Sequence, residues 1–158
     1  MKPFEALIKE FAEQTGLPLQ VDADDSCSLE SDDMLITIQY RREQDDVIVF
    51  APVVTPEDNE KLPYNVLQKA LELSYNGQGT GNAFLGMFGG ALVLSITLPL
   101  SELDAESLGV RVLAFTDTAQ GIALDFENLL AEAGGFELKD DECPQGKLSA
   151  DQELLFQL

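Results

Sequence analysis

Two stretches hold residue types that could do chemistry. From Leu73 to Gly90 the chain reads LSYNGQGTGNAFLGMFGG, and its middle, Gly77-Gln78-Gly79-Thr80-Gly81, resembles a glycine turn that cradles a pyrophosphate. From Asp22 to Asp33 it reads DADDSCSLESDD, with acids at the first and third places of a calcium loop and Leu29 at the eighth.

Neither pattern has the setting its chemistry needs. A phosphate cradle takes a strand before the first glycine and a helix after the last, so that the helix N-terminus meets the anion. Here apolar spacing puts a helix before Gly77 and a strand after Gly81, and no Lys or Arg lies between Lys69 and Arg111. The glycines read as a helix stop and a connector. The acidic stretch has Cys27 where a calcium loop needs glycine and Asp33 where a bidentate Glu belongs. Its flanks read as strands, so its acids read as solvated hairpin turns.

Catalysis has little to work with. The chain contains no histidine, which removes the commonest general base and metal ligand. Pairs such as Asp32 and Asp33 carry little information among 29 acids. A nucleophile would need help from Lys or a carboxylate. Cys27 sits in an acidic stretch, which raises a thiol's pKa and dulls it. Cys27 and Cys143 are too few and too far apart for a zinc site. No catalytic residue, metal or cofactor is therefore assigned.

Charge narrows the partners. Nine Lys and Arg face 29 Asp and Glu, a formal net charge of −20. Such a surface repels phosphate backbones and anionic membranes, which argues against nucleic acid. The N-terminal MKPFEALIKEFAEQ is amphipathic and acidic, unlike a signal peptide. No segment approaches the ~20 apolar residues of a membrane span. These features predict a cytoplasmic protein with reduced thiols.

The elements follow from periodicity. Pro3 opens a helix with Phe4, Leu7, Ile8 and Phe11 on one face, stopped by Gly16. Leu17 to Val21 reads as short and extended, and Cys27 to Glu30 as a brief strand between polar turns. Met34 to Arg41 alternates as a strand does. After the loop at REQDD, Val47 to Val54 is apolar on both faces, which predicts a strand covered on both sides, bent or ended at Pro52. A polar connector, with a helical turn conceivable at Thr55-Pro56, leads to a helix from Pro63 to about Asn76, capped by Gly77. Phe84 to Phe88, Gly89-Gly90 and Ala91 to Leu98 form a hairpin. The last helix begins at Ser101 to Asp104. Its seam is Leu108, Val112, Phe115, Ala119, Ile122, Phe126, Leu129 and Ala133, ended by Gly134-Gly135, with a kink conceivable at Gly121.

The predicted fold class is α+β: an antiparallel twisted sheet with three helices in the order α-β-β-β-α-β-β-α. One domain covers residues 1–133, and residues 134–158 form an acidic, mobile tail. A chain of 158 residues buries roughly 70% of its unfolded surface. The apolar faces exceed what a small sheet hides, and leftover patches mark protein partners.

In order and texture, residues 1 to 133 resemble the class I type III secretion chaperones, the Tir-chaperone-like family. The resemblance rests on the opening amphipathic helix and on LPLQVDADDSCSLESDDMLITIQY, VIVFAPVV, LPYNVLQKALELSYN and GNAFLGMFGGALVLSITLPLSELD, in that order. The tail after Gly134 departs from it. The resemblance implies a non-enzymatic, cytoplasmic homodimer that holds the N-terminal non-globular segment of a secreted effector. It places effector binding at Phe4, Leu7, Ile8, Phe11, Leu29, Ile36, Ile38 and Phe50, in grooves between the first helix and the sheet. It places the dimer interface near Leu67, Leu71, Val93 and Ser95. An acidic adaptor of the same fold that binds a folded partner is the alternative, and a calcium or small-molecule module at Asp22 to Asp33 a third.

Overall fold

The structure is a computed structural model that describes residues 2–58 and 60–137. Helix α1 (Pro3–Thr15) is followed by strands β1 (Ser26–Ser31), β2 (Met34–Arg41) and β3 (Asp46–Val54). Helix α2 (Tyr64–Ser74), strands β4 (Phe84–Phe88) and β5 (Ala91–Pro99), and helix α3 (Ala105–Glu137) complete the chain. The five strands form one antiparallel sheet in the order β1-β2-β3-β5-β4.

Local chemistry sets the boundaries. Two-residue turns close two hairpins, with left-handed φ at Asp32 and Asp33 (47° and 65°) and at Gly89 and Gly90 (59° and 81°). Such turns match the right-handed twist of the strands they join. Pro52 interrupts the ladder, and β3 shifts register between Pro52 and Val54 before it ends. A 3-10 turn at Leu100–Glu102 precedes α3. The Asp104 carboxylate then accepts the Ser107 N–H at 2.7 Å, and the Asp104 N–H donates to the Ser107 hydroxyl at 2.9 Å. These bonds satisfy donors that a helix start leaves free.

All three helices lie on one side of the sheet. Inward register positions Ile36, Ile38, Val47, Val49, Ala51, Leu92 and Leu94 are buried. They meet Phe4, Ile8 and Phe11 of α1 and Leu108, Val112, Phe115, Ala119, Ile122 and Phe126 of α3.

Several expectations change. The strand β3 is not covered on both sides: Ile48 and Phe50 point away from the helices and are only half-buried. Apolar residues on both faces of a strand show that both faces leave water in use, not that this chain supplies both covers. No helical turn forms at Thr55-Pro56. The α-helix of α2 ends at Ser74, and a 3-10 turn at Tyr75–Gly77 carries the chain off through Asn76 at φ 57°. Helix α3 neither breaks at Gly121 nor stops at Gly134-Gly135; it runs to Glu137. Glycine costs about 1 kcal/mol in a helix interior, yet an established helix gains a hydrogen bond for every residue it adds. Of the expected tail, residues 138–158 lie outside the described residues, as does Cys143.

Candidate functional site

The residues expected to line a client groove mostly fill the core. Phe4, Leu7, Ile8 and Phe11 point from α1 toward the sheet, and Ile36 and Ile38 point from β2 toward the helices. All six are buried. The two expected walls touch each other, so the groove between them is closed. Phe4 stacks on Tyr40 with ring centroids 5.6 Å apart and planes at 18°. The open hollow near α1 lies on its other flank, about 690 Å³ between Ile8, Lys9 and Ala12 and the segment Leu17–Val21.

Leu29 and Phe50 remain half-buried. Leu29 sits on the core side of the edge strand β1 and faces Ile36. Phe50 sits on the opposite side of the sheet, the outer face, where Ser95 of β5 lies beside it.

The four residues expected at a dimer interface occupy two surfaces that meet at β4. Leu67 and Leu71 of α2 line a groove of about 330 Å³ with Leu85, Met87 and Leu92. Val93 and Ser95 line a hollow of about 350 Å³ on the outer face with Ile48, Phe50 and Phe88. Gly86 and Met87 border both. Strand β4 is therefore a rib with an apolar surface on each flank, at the edge of the sheet.

Six of the eleven exposed large apolar residues among those described lie in or next to α2 and β4; Leu17, Leu35 and, on α3, Val110, Leu113 and Leu124 lie elsewhere. Phe88 is 82% exposed, Phe84 69%, and on α2 Leu71 is 76%. Tyr64, Tyr75 and Met87 are exposed as well. Sequence reasoning read FLGMF as a hairpin strand and missed its exposure. The sequence shows aromatic residues at both ends of a strand next to a two-glycine turn, but that this strand is a sheet edge follows from the sheet order alone.

The glycine stretch builds this edge. The Thr80 hydroxyl, fully buried, donates to the Ala83 carbonyl at 2.6 Å, and the Ala83 N–H donates back to the Thr80 carbonyl at 3.1 Å. Gly79 lies so close to α2 that a Cβ there would meet the Leu73 carbonyl oxygen at 2.8 Å. No helix N-terminus faces these glycines, since β4 follows them.

The acidic stretch is structural too. The Asp22 carboxylate accepts the Asp24 and Ser26 N–H groups at 2.9 and 3.0 Å and the Ser26 hydroxyl at 2.8 Å, which holds its pKa below the usual carboxylate range. Asp25 is buried between Arg42 and Lys2; hydrogen bonds from Arg42 first, then Lys2, lower its pKa as well. Among the described residues no group of three or more His, Cys, Asp or Glu is placed to hold a metal. Burial pushes the Cys27 thiol up to about 11, with Asp22 adding to the shift, so the group is protonated and unreactive at neutral pH. Among the described residues no helix is long and apolar enough to cross a membrane.

An α-β-β-β-α-β-β-α chain with one helix-free sheet face and an apolar edge strand invites comparison with known folds. The model of the Tir chaperone protein (CesT) family matches residues 6–123. The chain belongs to that family. No curated protein matches its sequence closely enough to count as a relative.

Solved structures share the family's fold at low identity. A chain of the HopA1–SchA chaperone–effector complex is 16% identical, with a TM-score of 0.63 over 77% of this chain and 93% of that one. A chain of the ExsC–ExsE complex is 21% identical, also at 0.63, over 73% and 87%. A chain from the Yersinia pestis type III secretion chaperone SycH in complex with a stable fragment of YscM2 is 14% identical, at 0.56, over 75% and 98%. In this CesT-family chain the matched span runs from α1 into α3, so it contains the whole sheet and both surfaces beside β4.

Proposed function

We propose that this chain is a cytoplasmic, homodimeric chaperone of the type III secretion kind, without enzymatic activity of its own. It holds the N-terminal non-globular segment of a secreted effector soluble and ready for export. The observation that carries this reading is the apolar surface from Leu67 and Leu71 round β4 onto Ile48 and Phe50, on a chain of net charge −20. Apolar surface of that extent on an otherwise charged protein is suited to burying other chains.

The surface divides by flank. The α2–β4 groove, with Leu67 and Leu71, supports the two-fold contact, because an interface of this type repeats the same patch on both subunits. Val93 and Ser95 lie across β4 from it and extend that contact onto the outer face. Phe50 and Leu29 are the expected client residues that keep open surface. Phe4, Leu7, Ile8, Phe11, Ile36 and Ile38 support the site from beneath, by fixing α1 against the sheet. Residues 1–133 act as the chaperone domain.

Co-expression with the proteins encoded beside this chain tests the reading. The expected result is a stable complex in which a dimer of this chain protects a short non-globular segment from limited proteolysis. A chain that stays monomeric and protects no such segment overturns it.

A further inference from the structure

The sheet has an unfinished row. Strand β5 runs to Pro99, but its neighbour β4 begins only at Phe84, opposite Ser95. Beyond Ser95, β5 has β3 on one side and, among the described residues, no strand on the other. The Gly89-Gly90 turn fixes which backbone groups face that gap. In a two-residue hairpin the flanking pair, here Phe88 and Ala91, exchanges hydrogen bonds, and every second residue along the strand then does the same. Gly86 with Val93 and Phe84 with Ser95 continue the series, so Thr97 is next to point its N–H and C=O toward the β4 side. The Leu100 N–H, of opposite parity, donates to the Asp45 carbonyl on the β3 side at 3.3 Å, as this assignment requires. No backbone partner meets Thr97 on the open side among the described residues. Pro99 brings no N–H and so ends the ledge.

The residues before β4 do not fill the gap. Residues that would have extended β4 fold back on themselves: Asn82 takes φ 66°, and both backbone groups of Ala83 are engaged by Thr80. What remains is a cavity of about 270 Å³ whose apolar wall is Ala83, Ile96, Leu98 and Phe115. Arg111 of α3 stands at its border. Lys2, Arg41 and Arg42 are paired with Asp25 and Asp46, whereas Arg111 makes no ion pair among the described residues. An unpaired guanidinium beside an open backbone ledge presents fork-shaped donors to a carboxylate.

We propose that this ledge is a second docking point of the client, taking a short extended segment that pairs with Thr97 and carries an acidic side chain to Arg111. The inference rests on the chaperone reading for the identity of the occupant, but its location is independent of the dimer groove and the Phe50 face. Backbone pairing supplies the contact, and the wall of Ile96 and Leu98 takes an apolar side chain on the inward side, as in other strand additions. Because the rest of the surface is acidic, the carboxylate is accepted only at the position facing Arg111, which sets the register of the bound segment.

Two measurements decide it, both on the full chain. In the complex with the co-expressed client segment, amide exchange at Thr97 slows about tenfold or more relative to the free chain. Arg111→Glu weakens that complex about tenfold while Arg111→Lys, which keeps the charge, retains most of the affinity. A client complex in which Thr97 exchange is unchanged and Arg111→Glu is neutral removes the ledge and leaves the chaperone reading standing. The second measurement needs no client: the peptide acetyl-Thr-Val-Thr-Glu-Thr-amide, whose Val and Glu share one face of an extended strand, is titrated against the chain by NMR, beside its backbone N-methylated form. Shifts at Thr97 and at the Arg111 side chain with the first peptide and not the second support the ledge. Equal shifts, or none, overturn it even if the chain binds no effector.

Discussion

Phe4 of α1 and Tyr40 of β2 stack at 5.6 Å, although 35 residues of chain lie between them. The contact pins the start of α1 across the sheet. Lys2, two residues earlier, reaches Asp25 at 3.1 Å, and Arg42 closes on the same carboxylate from the β2–β3 turn. The N-terminal helix is thereby fixed by both an aromatic stack and a charge cluster.

Phe4→Ala removes a ring that is 1% exposed. Truncations of this kind cost about 3–5 kcal/mol through lost transfer energy and the cavity left behind. Denaturant unfolding should show a drop of that size. A loss below ~1 kcal/mol would mean that α1 is not docked as described.

The Asp25 cluster predicts a pH signature. Its folded-state pKa is lowered, so its contribution to stability is present above the ordinary Asp value of about 3.9 and is lost as pH falls through the lower folded value. Asp25→Asn should therefore melt below the wild type at neutral pH, with the two curves converging under acid. A gap that stays constant from neutral pH down to strong acid would show that the carboxylate's charge is not what matters.

Phe50→Asp separates surface from core. The side chain is half-buried on the outer face, so its replacement should cost less than the roughly 3–5 kcal/mol expected for the fully buried Phe4. Affinity for the effector segment should fall at least tenfold, about 1.4 kcal/mol or more, when measured by calorimetry. Unchanged affinity would move the client contact away from the outer face.

These contrasts show which parts of the fold were legible in the sequence. Period-3.6 and period-2 spacing located every helix and strand, because burial on one face imposes those periods. They could not say which apolar faces meet each other. Ile38 and Phe11 were placed in an open groove by the family resemblance; in the fold both belong to one buried cluster. Ile48 and Phe50 were read as covered because a two-faced apolar strand looks the same whether its second cover is a helix of the same chain or another molecule. The exposure of Phe84 and Phe88 depends on sheet order, which local sequence does not encode.

Leu71→Asp tests the two-fold contact. Leu71 is exposed on the isolated protomer and lines the α2–β4 groove, so a charge there should cost little in protomer folding. In a closed two-fold interface the same charge appears twice and is desolvated twice. Light scattering should report a dimer for the wild type and a monomer for the variant, with circular dichroism unchanged. A variant that stays dimeric would place the interface elsewhere.

Two glycines distinguish chain geometry from ligand chemistry in the stretch that first resembled a phosphate cradle. A Cβ at Gly79 would lie 2.7 Å from the Leu73 Cδ2 and 2.8 Å from the Leu73 carbonyl oxygen. The side chain can yield but the backbone of α2 cannot easily, so Gly79→Ala should destabilise by about 1–3 kcal/mol, the usual cost of overpacking. Gly121, in the middle of α3, has nothing within 4 Å of its Cβ position. Gly121→Ala should instead stabilise by roughly 1 kcal/mol from helix propensity alone. Thermal melts of both variants without any ligand decide the matter. If Gly79→Ala leaves the melt untouched, the turn has room to spare, and its glycines need some reason other than the close packing of the connector against α2.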